Sequence, residues 1–295
     1  MRPRHQVNDQ YFEDDTLALH AHADAIRALD EDLGTGDLTA GLVDPRQRSQ
    51  ARVMAREAAV ICGRLWVEAT LLRLDPQAEL VWYVRDGQSC SANQVILEIQ
   101  GNSRALLSGE RTLLNFLQLL SAVATQTAAY VRAVEQVPGN RARIVDTRKT
   151  LPGLRLAQKY AVRCGGGSNH RIGLYDAVLI KENHIAAAGG VTAALQRAAE
   201  VAARASFVEI EVESLDQLDE ALAAGAQMVL LDNMNLAQLH EAVRLTAGRA
   251  ILEVSGGVGL HTVADIAATG VDRISVGALT KNIQAIDFSM RLTQL

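Results

Sequence analysis

Seven cationic side chains lie between Arg148 and Lys181: Arg148, Lys149, Arg155, Lys159, Arg163, Arg171 and Lys181. His170 stands among them, and Asp176 is the one acid in that stretch. A local excess of six positive charges thus occurs in a chain whose net charge is −5. Such a concentration suits a ligand carrying several carboxylates or phosphates. Arginine supplies the bidentate fork that matches a carboxylate, and lysine a point charge for phosphate. Further along, Glu211 and Asp232 offer acceptors for sugar hydroxyls or a divalent cation. The sterically open runs Ser255-Gly256-Gly257 and Ser275-Val276-Gly277 have backbone N–H groups that could cradle a phosphate. The chemistry indicated is the binding and neutralisation of a polyanionic substrate.

These residues follow a repeated pattern of elements. Short apolar runs occur at 143–146, 177–180, 207–212, 228–231, 250–254 and 273–276, with Ala-rich helical stretches at 191–204, 214–225 and 235–248. Continuous apolar runs are characteristic of buried parallel strands, so the pattern predicts a βα-barrel or a doubly wound sheet. No GxGxxG opens a helix after the first strand, which weighs against a dinucleotide fold. Polar residues gather where each run ends. The first leads into Thr147, Arg148 and Lys149, and the second into Lys181 and Glu182. The third carries Glu209, Glu211 and Glu213 at period two, and the later ones lead into Asp232-Asn233, Ser255-Gly256-Gly257 and Gly277. A βα-barrel carries its active site at the strand C-termini.

The region before this reads differently. An amphipathic helix at 16–31 precedes a polar loop containing Gly34 and Gly36; a strand at 51–56, a helix at 64–74 and strands at 79–84 and 94–100 follow. That alternation predicts an α+β sandwich of about a hundred residues. His20 and His22 point in different directions on a helix and read as surface residues. A long helix is predicted from Ser108, with Leu113, Phe116, Leu117 and Leu120 forming its apolar stripe. Arg111 would then lie in the first turn, where the helix dipole disfavours a cation. Either it pairs with an acid such as Glu110, or it is aimed at a bound anion.

Composition sets the remaining bounds. The 295 residues are 48% hydrophobic and 21% charged, as expected of a globular chain with ample core. The net negative charge weighs against generic nucleic-acid binding. Three cysteines, Cys62, Cys90 and Cys164, form no CxxC pair and suggest a reduced setting. Residues 1–15 contain no apolar leader core, and no stretch reaches the ~20 apolar residues of a membrane span. A cytoplasmic protein is expected. Lys181 at a strand end would also suit a Schiff-base lyase, although its charged neighbours favour anion binding. Cys164 has no base beside it in sequence.

The run DTRKTLPGLR, then Lys159, GGG, NHR and LYDAVLIKENHI, resembles the signature of the quinolinate phosphoribosyltransferase family. The resemblance extends to EDLGTGDLT, GERTLLNFLQLLSAVAT, VEIEVE, LLDNM, LEVSGGV and ISVGALT, and so covers nearly the whole chain. One departure is Ala122, where the family pattern favours glycine. The resemblance implies an N-terminal α/β sandwich followed by an incomplete α/β (TIM-like) barrel, the type II phosphoribosyltransferase architecture. Residues 1–112, joined by 280–295, would form the sandwich and 113–279 the barrel.

It also implies transfer of a phosphoribosyl group from 5-phosphoribosyl-1-pyrophosphate to quinolinate. The products would be nicotinic acid mononucleotide, pyrophosphate and CO2, and Mg2+ would be required. Arg111, Arg148, His170, Arg171 and Lys181 would hold the quinolinate carboxylates, with Thr147 beside them. Lys149 and Lys181 would face the pyrophosphate, Glu211 and Asp232 the ribose and metal. Ser255, Gly256, Gly257 and Gly277 would cradle the 5′-phosphate. A homodimer with shared sites, or a higher oligomer, would bring Arg111 into the partner's site. A same-fold paralogue with another acceptor is the alternative that the resemblance leaves.

Overall fold

The computed structural model describes residues 9–295. Residues 1–8, part of the segment read above for a leader and of the expected 1–112 domain, lie outside the described residues. In chain order the elements begin with α1 (Asp14–Leu33), β1 (Arg48–Ala55), β2 (Ala59–Val60), α2 (Arg64–Leu74) and β3 (Glu79–Trp82). They continue through β4 (Ser89–Cys90), β5 (Val95–Asn102), α3 (Ser103–Glu135), β6 (Arg143–Val145) and α4 (Arg155–Cys164). Next come β7 (Val178–Ile180), α5 (Glu182–Ala188), α6 (Val191–Ala202), β8 (Val208–Val212), α7 (Leu215–Ala223) and β9 (Met228–Asp232). The chain ends with α8 (Leu236–Thr246), β10 (Ile251–Ser255), α9 (Val263–Ala268), β11 (Arg273–Ser275), α10 (Ala278–Lys281) and β12 (Phe288–Gln294).

Two compact units result. The first contains 10–128, 151–166 and 282–295. Its antiparallel sheet has the order β12-β1-β5-β3, and β2 and β4 form a separate small pair. Alternate residues of β1 (Ala51, Val53, Ala55) point into the core, where they meet Ile99 of β5, Phe288 and Met290 of β12, and Leu106, Leu113 and Leu117 of α3. Leu113 and Leu117 of the α3 stripe belong to this core, and the unit accordingly extends past residue 112, with the helix leaving it only after Ala128. Residues 151–166, carrying α4, also fall in this unit rather than in the barrel.

The helix α3 starts five residues before the predicted Ser108. Asn102 ends β5, and its side-chain oxygen accepts the N–H groups of Arg104 (3.0 Å) and Ala105 (3.3 Å), capping the helix there. Arg111 is therefore past the first turn, and the helix dipole does not disfavour it there. His20 and His22 are both exposed, as expected.

The second unit contains 129–150 and 167–281, together with Asp9. Its six strands have the order β6-β11-β10-β9-β8-β7, and every pairing is parallel. Strands β7 to β11 are neighbours in chain order, and the first strand, β6, pairs with the last. A doubly wound sheet reverses its strand order about the first strand, and this sheet does not. It is a barrel order left open between β6 and β7. Buried Ile144, Ile210, Val229, Leu231, Leu252, Val254 and Ile274 explain the apolar runs in the sequence. Side-chain caps start two of the intervening helices: Ser214 accepts from Gln217 N–H on α7, and Asn235 forms a capping box with Gln238 on α8.

Candidate active site

The strand C-termini of the second unit surround a cleft of about 310 Å³. Of the residues expected to act, it brings together Thr147, Arg148, Lys149, His170, Arg171, Lys181, Glu211 and Ser255. Leu179, Leu230, Glu253 and Ser275 complete its lining. Asp232 is not in the lining but ends β9 in register with Ser255 of β10. Gly256, Gly257 and Gly277 also fall outside the lining, in the turns after β10 and β11. Arg111 is exposed on α3 and makes no ion pair among the described residues, so of the two alternatives for it the pairing with Glu110 does not occur.

The cationic segment divides. Arg148, Lys149, His170, Arg171 and Lys181 face the cleft, whereas Arg155, Lys159 and Arg163 sit on α4 in the first unit. Lys159 is fully buried there, and the Arg163 guanidinium lies 4.6 Å from the centre of the Phe12 ring. The charge excess along the sequence is therefore not one site.

Asp146, fully buried, fixes the loop that carries His170 and Arg171. Its carboxylate accepts the Asn169 side-chain amide at 2.6 Å and the His170 N–H at 2.8 Å. Ser168 N–H donates to Ile144 C=O at 2.8 Å, so the loop runs beside β6 as a short parallel extension. Asp176 accepts the N–H groups of Ile172 and Gly173 and closes the loop on its far side. The requirement for a sharply held loop accounts for two acids next to the cations.

At the floor of the cleft lies a buried polar cluster, whose His170, Glu253 and Ser275 belong to the cleft lining. Glu253 sits mid-strand in β10, fully buried, in register with Arg273 of β11. Arg273 Nε donates to it at 2.6 Å, and Ser275 Oγ donates to its other oxygen. His170 Nε2 lies 2.8 Å from Glu209 and 3.5 Å from Glu253. Burial raises the Glu209 carboxyl, and the neighbouring Glu253 adds to that rise. Burial also pushes Glu253 upward, yet His170, Arg273 and the Ser275 hydroxyl outweigh it and hold the carboxyl below its usual range.

His170 is pulled both ways. Burial lowers its pKa, but the attraction of Glu253 and Glu209 outweighs burial and raises it. The Arg171 N–H donates to His170 Nδ1 at 2.8 Å. Both ring nitrogens are thus engaged within the protein. Glu253, a lone glutamate inside its apolar run, was one signal for this cluster, because a charge at a fully buried strand position must be paired. Glu209 was not set apart, since Glu211 and Glu213 follow it at period two.

The upper layer faces the cleft. Lys181 Nζ donates to Glu211 at 3.0 Å, and the lysine side chain is 45% exposed. A Schiff-base lysine must be held partly unprotonated, whereas the ion pair with Glu211 favours the charged form of Lys181. Arg171 is buried, and desolvation followed by the charge of Arg148 lowers its pKa. Arg148 Nε is buried without a hydrogen-bond partner. Asp176, Glu209 and Glu211 oppose the lowering of Arg171 only in part, and the orphaned donor of Arg148 is free for an acceptor in the cleft. Burial raises Asp232, with Lys181 opposing, and Asn233 Nδ2 donates to it at 2.7 Å.

The glycine turns have steric reasons. A Cβ on Gly256, whose φ is +96°, would strike the Asn233 side chain. A Cβ on Gly277 would come within 3.1 Å of Lys149 Cδ, so this glycine lets the lysine lie across the turn after β11. Thr280 Oγ1 donates to the Lys149 carbonyl at 2.8 Å and holds that backbone.

An open parallel barrel with two arginines on one side of its cleft, and glycine turns following its last strands, suits a polyanionic ligand. Likeness to known proteins narrows the class. Residues 37–121 match the family model for the quinolinate phosphoribosyl transferase N-terminal domain, and 123–291 the model for its C-terminal domain. The nicotinate-nucleotide pyrophosphorylase [carboxylating] of Mycobacterium leprae is 45% identical, over 90% of this chain and 95% of that protein. A probable enzyme of the same name from Bacillus subtilis is 40% identical, over 89% and 90%. The solved nicotinate-nucleotide pyrophosphorylase of Francisella tularensis superposes with a TM-score of 0.89 at 44% identity, covering 94% of this chain and 97% of that one. The chain belongs to the quinolinate phosphoribosyltransferase family. No helix among the described residues is long and apolar enough to cross a membrane.

Proposed function

We propose that the chain transfers a phosphoribosyl group from 5-phosphoribosyl-1-pyrophosphate to quinolinate with loss of CO2, giving nicotinic acid mononucleotide for NAD synthesis. The observation that carries this is the Arg148–Arg171 pair, whose mutual repulsion and orphaned donor call for an anionic ligand. A pyridine dicarboxylate supplies two carboxylates to such a pair. Arg148 and Arg171 hold them, and Thr147 lines the same cleft. His170, with both nitrogens engaged, contributes position rather than a further hydrogen bond.

Lys149 and Lys181 face the pyrophosphate, and Ser255, Gly256, Gly257 and Gly277 take the 5′-phosphate. Displacement at the ribose carbon builds positive charge on the ring and negative charge on the leaving group. Glu211 and Asp232 stabilise the first and the lysines the second, so positioning and electrostatics provide the catalysis. Decarboxylation leaves electron density on the pyridinium carbon, beside its own positive nitrogen and the arginines.

Mg2+ fits this site as a passenger on the donor. Glu211 is already neutralised by Lys181, which leaves Asp232 as the freer hard-oxygen ligand. Mg2+ commonly takes one or two carboxylates plus substrate phosphates, and would supply charge neutralisation of the pyrophosphate. We also propose a homodimer, in which exposed Arg111 completes the partner's site. Mixing inactive Arg111→Ala and Lys149→Ala proteins should restore activity in heterodimers, and no recovery would refute sharing. The deciding assay for the reaction offers phosphoribosyl pyrophosphate with quinolinate or with nicotinate. Product from quinolinate is expected, and product from nicotinate alone would overturn the assignment.

A further inference from the structure

The first unit holds a thiol pair that the proposed reaction does not use. Cys62 is fully buried between β2 and α2. Its N–H donates to Ser121 Oγ at 3.0 Å, and its carbonyl accepts from the same hydroxyl at 3.2 Å, so it is pinned to α3. Cys164, half-buried, is the last residue of α4. The next residue, Gly165, packs so closely on Ala124 and Thr127 that a Cβ there would overlap α3. Both cysteines are thus held against one helix. Their sulfurs and an Asp86 carboxylate oxygen lie within 4.8 Å of one another. Asp86 accepts the Tyr160 hydroxyl at 3.0 Å and the Arg64 N–H at 3.2 Å, which fixes it beside the thiols.

We propose that Cys62 and Cys164 form an oxidative modification site, closing to a disulfide when a peroxide reaches Cys164, with Asp86 as the base for Cys62. In the first step Cys164 sulfur attacks the peroxide. An S–O bond forms, the O–O bond breaks, and the thiol proton leaves with the departing oxygen as water, giving a sulfenic acid. In the second, Cys62 gives its proton to Asp86 and attacks the Cys164 sulfur. The S–S bond forms, the S–O bond breaks, and the hydroxide takes the proton from Asp86 to leave as a second water. Two thiols supply the two electrons that reduce one peroxide.

The order follows from burial. Cys164 is the accessible member, and desolvation keeps the Cys62 thiol well above its ordinary pKa, so it needs a base. Desolvation also raises Asp86 and makes it a better proton acceptor. A disulfide needs sulfurs about 2.05 Å apart, so a small approach of two already neighbouring side chains closes the bond.

The test treats the purified full-length protein with hydrogen peroxide, alkylates free thiols and maps the peptides by mass. The expected product lacks two hydrogens, contains a cross-linked Cys62–Cys164 peptide and is restored by dithiothreitol. Cys62→Ser should stop at a sulfenic acid trapped by dimedone, and Cys90→Ser should leave the cross-link unchanged. Asp86→Asn should slow closure about tenfold or more, with the sulfenic acid accumulating. Sulfinic acid at Cys164 without a cross-link, or no reaction, would overturn the proposal. None of these readings uses turnover, so they stand apart from the assignment of the reaction.

Discussion

Replacing Glu253 by glutamine removes one charge from the buried cluster at the cleft floor while keeping the side chain's shape. The carboxylate receives Arg273 at 2.6 Å and Ser275, and both donors are buried. A glutamine can still accept from Arg273 while its NH2 group donates to the Ser275 hydroxyl, so the loss is chiefly that of the charge facing Arg273. Breaking a buried ion pair costs about 3–5 kcal/mol, because the surviving charge is left uncompensated. For a unit of this size that corresponds to a fall in Tm of roughly 6–20 °C. Calorimetry of the wild type, Glu253→Gln, Arg273→Met and the double variant Glu253→Leu/Arg273→Met would measure it. The double variant removes both charges and should be more stable than either single one, since exchanging a whole buried pair for apolar groups is often neutral or better. A Glu253→Gln protein within about 1 kcal/mol of wild type, or a double variant no better than the two single losses combined, would refute the reasoning.

Three further predictions rest on other contacts. Arg148→Ala should lower kcat/KM for quinolinate about 10- to 150-fold, the equivalent of a lost charge-assisted hydrogen bond, without lowering Tm; unchanged steady-state kinetics would remove it from the carboxylate wall. The folded pKa of His170 is raised, so its stabilising contribution is complete below the ordinary value near pH 6.5 and is lost as pH rises through the folded value. The Tm gap between wild type and His170→Asn should therefore narrow above about pH 6.5, and a gap that widens would contradict the assigned pairing. Gly165→Ala should cost about 1–3 kcal/mol in thermal unfolding, because the added methyl meets Thr127 Cβ at 2.6 Å; φ at this position is −78°, so crowding alone would be responsible.

Much of the barrel was legible because each buried parallel strand is an unbroken apolar run and each run ends in the polar residues of the cleft. The position of α4 was not, because the charges of Arg155, Lys159 and Arg163 read in sequence like those of their cleft-facing neighbours. Only the fold shows Lys159 buried in the other unit. The start of α3 lies upstream of Ser108 for a local reason: Asn102 closes β5 and caps the helix at once, leaving no loop between strand and helix to mark the boundary. Glu253 was visible as a charge in an apolar run and Glu209 as one of three glutamates at period two, but their partners come from strand register and from the loop after α4, which no local pattern encodes. The two layers of charge have different work. The lower one pairs acid with base and sets where His170 stands, though Glu209 Oε1 and Arg273 Nη2 are left without hydrogen-bond partners. The upper one keeps an orphaned donor at Arg148 Nε, and nearby acids offset the desolvation of Arg171 only in part. A paired cluster at the floor of the cleft holds the loop of His170 and Arg171 in place, while the cations above it keep donors free for an anion.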